Sequence, residues 1–124
     1  VVFAGAASAG IHAGLVPEHL REEPRLGVAF ALAVVVLLAT AAMVALKPSD
    51  RGAARLAAVV LGGLVACYVA SRTTGIPLLD PEPEALDAVG VSAVAIQLVG
   101  LMFALARSTE RPPSSAASLK GGGF

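Results

Sequence analysis

Leu26–Leu46 reads LGVAFALAVVVLLATAAMVAL and holds no charged residue. A helix needs about 20 apolar residues to cross the hydrocarbon core of a bilayer, so this stretch alone decides that the protein is to be read in lipid. Two further stretches repeat the pattern. Ala53–Ser71 has a single charge, Arg55, near its start, and Ala88–Ala106 has none. A fourth apolar run, Val1–Val16, reads as a first transmembrane helix whose start precedes Val1 rather than as a signal-peptide core, because it lacks a basic flank and a small-residue cleavage site.

The composition agrees. Of 124 residues, 56% are hydrophobic and only 15% charged, where a soluble domain carries about 25% charged residues. A soluble bundle would also show charges recurring around each helix, and these runs lack them. The expected fold is all-α: a four-transmembrane-helix bundle over residues 1–107, followed by a disordered tail over residues 108–124, rich in Ser, Pro and Gly.

The charges supply an orientation. Lys47, Arg51, Arg55, Arg107, Arg111 and Lys120 fall in one loop and the tail, while Arg21, Arg25 and Arg72 fall in the other two connections among seven acidic residues. Lys and Arg concentrate on the cytoplasmic side, so both termini are expected there, with the acidic loops outside. The net charge is zero, and no nucleic-acid partner is expected.

Local signals place the ends of the helices. Pro17 suits the first turn of a new helix, which predicts that span one ends near Val16 and a short interfacial helix follows. Pro24 then opens the second span, Ser49 or Asp50 caps the third, and Gly75 with Pro77 ends it. In lipid, helices associate through close approach at small residues. Ala58, Gly62, Ala66 and Ala70 recur every fourth residue in the third span, as do Ala6, Gly10 and Gly14 in the first. These faces are the expected tight crossings. Gln97 lies mid-span in the fourth, where an unpaired amide is costly, so it should face the bundle or a partner subunit.

Chemistry is sparse. No Asp, Glu, Lys or His lies within spans two to four, which argues against a proton-coupled carrier. No nucleophile triad, phosphate loop or zinc-protease helix is present. Cys67 is a lone cysteine and reads as a small apolar filler. The densest titratable group is His12, Glu18, His19 and Glu22, imidazoles and carboxylates of the kind that bind copper or zinc. Pro17 between the two histidines is expected to spoil their helical register. Arg72, in the last turn of span three, suits the helix dipole and is expected to pair with Glu18, Glu22 or Glu82 across the outer loops.

The segments His12-Ala13-Gly14-Leu15-Val16-Pro17-Glu18-His19-Leu20-Arg21-Glu22 and Ser71-Arg72-Thr73-Thr74-Gly75-Ile76-Pro77, the latter followed by Glu82-Pro83, resemble a family of small four-helix integral membrane proteins of actinobacteria that has no assigned activity. The resemblance spans most of Ala4–Arg107. It implies a multi-pass protein of the bacterial cytoplasmic membrane and directs attention to the outer face. The function expected is a non-catalytic accessory or structural subunit of a larger membrane complex, with respiratory assemblies the first place to look, and with the bilayer and other subunits or a second copy as partners. No cofactor is expected on this reading. The alternative is a metal-handling protein using copper or zinc at the outer rim.

Overall fold

The computed structural model describes residues 1–79 and 81–110. Among them are four helices: α1 (Val2–Glu22), α2 (Pro24–Leu46), α3 (Arg51–Thr73) and α4 (Ala88–Thr109). The tail expected from residue 108 begins inside α4, and from residue 111 onward it lies outside the described residues.

The turns are built from few residues. Glu23 alone joins α1 to α2, its N–H donating to the His19 carbonyl, and Pro24 takes the first position of α2, where its missing N–H costs nothing. Asp50 caps α3 by accepting the Gly52 N–H at 2.7 Å. Asp87 caps α4 by accepting the Gly90 N–H at 2.7 Å. After α3, Gly75 turns the chain at φ 72, a left-handed conformation that glycine adopts without a Cβ penalty.

Contacts between helices fix the topology. A Cβ on Gly5 would meet the Cβ of Ala41 at 3.2 Å, and one on Gly27 would come within 2.6 Å of the Leu20 backbone nitrogen, so α1 and α2 run antiparallel. A Cβ on Gly100 would lie 2.6 Å from Ala4 Cβ, and Gln97 reaches Ser8, so α1 and α4 are antiparallel too. With α3 packed on both α2 and α4, the helices close into an up-down-up-down ring. Its interior holds two small apolar clusters, Val44 with Ala53, Ala57 and Ala104, and Ala9 with Leu37 and Leu61.

Three helices, α2, α3 and α4, are long and apolar enough to cross a membrane. Leu32, Val35 and Val59 point large apolar side chains outward from α2 and α3, as a lipid-facing surface does. α1 does not meet the same standard, which corrects the expectation of four such helices. The reason is that α1 does not stop at Val16: it runs through Pro17 and takes in Glu18, His19, Arg21 and Glu22. Proline removes one backbone bond from the ladder, and the loss falls where this polar end of the helix begins.

The small-residue faces are also corrected. Gly10 and Gly14 have nothing among the described residues within 4 Å of where a Cβ would stand, and Ala6 and Ala66 are exposed. Gly62 meets only Leu101, at ordinary contact distance of 3.8 Å, while Ala58 is half-buried beside the Val44 cluster. The residues that α3 buries are Ala53, Ala54, Ala57 and Leu61. Those of α1 are Ala4, Gly5, Ser8, Ala9 and His12. Spacing identified small residues on each helix, but several of them line the outer surface instead of the crossing.

Candidate functional site

At the end of the bundle where α1 meets α2 and the α3–α4 loop returns, the helices part around a cavity of about 370 Å³. That volume is within the range of small-molecule sites, ~300–1,000 Å³. Its apolar walls include Leu15, Leu26, Phe30, Leu64 and Val94, and the α3–α4 loop adds Ile76 and Leu79. The cavity extends from Arg72, Glu84 and Asp87 at the rim to Gln97, midway along α4.

The polar side chains in the wall are unusual for this chain. Both histidines, the single cysteine, the single tyrosine and the only glutamine, Gln97, line this one cavity. Because α1 continues through Pro17, His12 and His19 stay on the same face, contrary to the expected loss of register. Phe30 of α2 packs against both rings, at centroid distances of 5.3 Å and 4.6 Å.

The two imidazoles are oriented alike. His12 Nδ1 is 2.8 Å from the Ser8 carbonyl oxygen and His19 Nδ1 is 2.9 Å from that of Leu15. A carbonyl only accepts, so in each case Nδ1 carries the hydrogen and donates. In the neutral ring this leaves Nε2 as a lone pair able to accept a hydrogen bond. Deeper in, Gln97 Nε2 donates to Ser8 Oγ at 2.8 Å. Both residues are buried, so the amide expected to need a partner inside the bundle has one, on α1.

Arg72 does not reach Glu18 or Glu22. It donates to Glu84 at 2.9 Å and to Asp87 at 2.6 Å, bonds the Ala85 carbonyl, and lies 5.0 Å over the Tyr68 ring. The ion pairs therefore tie α3 to the loop that follows it rather than bridging that loop to the end of α1. The cause is local: Gly75 reverses the chain, Glu84 N–H bonds the Ser71 carbonyl at 2.8 Å, and this brings the loop's carboxylates back over the guanidinium. Arg25 of α2 donates to Leu78 O at 3.4 Å and so links the start of α2 to this loop. Among the described residues, two buried polar atoms of residues that line the cavity have no hydrogen-bond partner, Tyr68 Oη and Arg72 Nε.

The expected metal set does not assemble. His12 and His19 line the cavity, but Glu18 and Glu22 are exposed and do not. Successive helical residues turn by about 100°, so Glu18 points away from the face that carries its neighbour His19. Seven residues along a helix rise about 10 Å, and Phe30 lies against both rings, so the histidines stand at two depths rather than around one ion. Among the described residues, no group of three His, Cys, Asp or Glu is placed to hold a metal.

Tyr68 is the residue that sequence reasoning passed over, and Cys67 beside it was read as filler, yet it is exposed and lines the cavity. One signal was available: the chain's rare polar and aromatic residues fall at 12, 19, 67, 68, 72 and 97, and an antiparallel ring brings those positions to one end. Compared with models of known protein families, with curated proteins and with solved structures, the chain matches none of them.

Proposed function

We propose that this chain is a membrane-embedded binding protein whose site is the cavity at the His12/Arg72 end of the bundle. One observation supports this above the others. In a chain more than half of which is Ala, Val, Leu and Gly, every His, Cys, Tyr and Gln lies in the wall of a single cavity. A bundle selected only for packing would close this end with small residues, as it does at the other. On the basis of the loop charges, the proposal places both termini in the bacterial cytoplasm and the cavity mouth on the extracytoplasmic side. Extraction of the protein purified from native membrane should release a small molecule in stoichiometric amount. A tryptophan at Ala33, a cavity-wall residue, should abolish it while the bundle still elutes as a folded species. Identical extracts from the two proteins would overturn the reading.

A second reading is that the chain also serves as an accessory subunit of a larger membrane complex. It is favoured by the open face of α1, where Gly10 and Gly14 have nothing near them and would let another helix approach closely. Replacing both by leucine should release a partner from the native complex without lowering the thermal transition of the isolated chain. Retention of every partner would count against it.

A further inference from the structure

Resting on that reading of the cavity, we infer that its ligand is an uncharged lipophilic hydroxyl compound, held by its oxygen between His12 and Tyr68. The hydrogen-bonding capacity of the wall leads there. His12 Nδ1 donates to the Ser8 carbonyl, so Nε2 is an acceptor in the neutral ring. Tyr68 Oη is buried without a partner among the described residues, and a phenolic O–H is a donor in need of an acceptor. A hydroxyl group is the simplest head that serves both, donating to His12 and accepting from Tyr68.

The two side chains stand at similar depth. The Gln97–Ser8 bond levels residue 8 of α1 with residue 97 of α4, so on antiparallel helices His12 lies near the level of Ala93. A Cβ on Gly90 would sit 2.8 Å from Tyr68 Cε2, which levels Tyr68 with the same turn of α4. The separation in depth is about one helical turn. Around them Ile11, Leu15, Phe30, Leu64 and Val94 offer only hydrocarbon, which suits an apolar body.

Charge excludes the obvious competitor, an anion clamped by arginine. The Arg72 guanidinium already donates to two carboxylates, Glu84 and Asp87, and to a backbone carbonyl. Three of its five N–H groups are used in this way, and with its two carboxylates it forms a cluster of net negative charge. A carboxylate or phosphate entering this site would be repelled by Glu84 and Asp87, whereas a neutral hydroxyl meets no such penalty.

The test uses the intact chain in micelles and three probes sharing one tail: 4-hexylphenol, its methyl ether 4-hexylanisole, and 4-hexylbenzoate. Binding is followed by calorimetry and by the rate at which Cys67, exposed and in the cavity wall, is alkylated by a maleimide. The phenol should bind and slow alkylation. The ether, which has lost the donor, should bind about tenfold more weakly, and the benzoate weaker still. Tyr68→Phe keeps the ring and should reduce the affinity of phenol and ether alike about fivefold, since both oxygens accept from the Tyr68 hydroxyl. His12→Leu should abolish the preference for phenol over ether. If the benzoate binds best, or if Tyr68→Phe leaves phenol affinity intact and His12→Leu leaves the phenol–ether ratio intact, the hydroxyl assignment is overturned and the cavity remains a site. If none of the three binds or protects Cys67, and native extracts carry no ligand either, the cavity reading falls with it.

Discussion

The two ends of this bundle are made by opposite rules. At one end Ala53, Ala57 and Ala104 meet Val44 with almost no surface left exposed, and the helix backbones approach as closely as alanine allows. At the other, Tyr68, Phe30, His12, His19 and Arg72 hold the helices around a cavity of about 370 Å³. Small residues close a membrane bundle, because association in lipid depends on packing rather than on the hydrophobic effect. Large and polar residues prop it open, and they do so where the chain also places its hydrogen-bonding groups. The difference separates the part of the molecule that holds it together from the part that can do something.

The sharpest way to break the comparison is to add volume to each end. Gly100→Val puts atoms where even a Cβ would lie 2.6 Å from Ala4, and overpacking of this kind should cost about 3 kcal/mol, read as a lower thermal transition in micelles. Ala33→Leu in the cavity wall should change stability by less than about 0.5 kcal/mol. Equal losses at the two sites would mean that the cavity end is as tightly packed as the other.

Arg72→Gln removes both ion pairs that latch the α3–α4 loop over the cavity. Arg72 is largely buried but its partners are not, with Asp87 51% exposed, so the loss should be about 1–2 kcal/mol, below the ~3–5 kcal/mol of a fully buried pair. Amide exchange over residues 76–86 should quicken more than in any helix. An unchanged exchange pattern would show that the loop is held by its backbone bonds alone.

Ser8→Ala leaves the Gln97 amide without its partner inside the bundle and should cost about 1–2 kcal/mol. Adding Gln97→Leu should restore most of it, since removing both polar groups leaves nothing unsatisfied. A double variant as unstable as the single would assign the loss to packing.

The smallest expected effect falls on the outer face. Gly10→Ala adds a methyl into open space and should stabilise α1 by a few tenths to about 1 kcal/mol through helix propensity. A destabilisation would place Gly10 against something, either a second copy or another chain.

Much of the architecture could be read along the chain because its causes are local. The uncharged runs of α2 and α4 and the nearly uncharged run of α3 set three helices, Pro24 and Asp50 set two of their starts, and Gly75 set the end of α3. The candidate site could not be read this way. His12 and His19 were visible as a pair, but Pro17 suggested a break that the helix does not make. Arg72 was singled out, while its partners Glu84 and Asp87 depend on how the loop folds back. Tyr68 gave no local signal, since an aromatic near the end of an apolar helix is ordinary by itself, and its rarity gains meaning only beside the other positions.

The sequence alone determined that this protein is helical and suited to lipid, because apolar length and composition act residue by residue and need no partner. Only the tertiary structure decided which face of each helix is inside. Spacing put Gly10 and Gly14 in line as readily as Ala4, Gly5 and Ser8, and the choice between such faces rests on contacts between helices, here Gly5 with Ala41, Gly100 with Ala4 and Gln97 with Ser8. The same contacts gathered side chains from positions 12 to 97 around one cavity, a grouping that no local pattern contains.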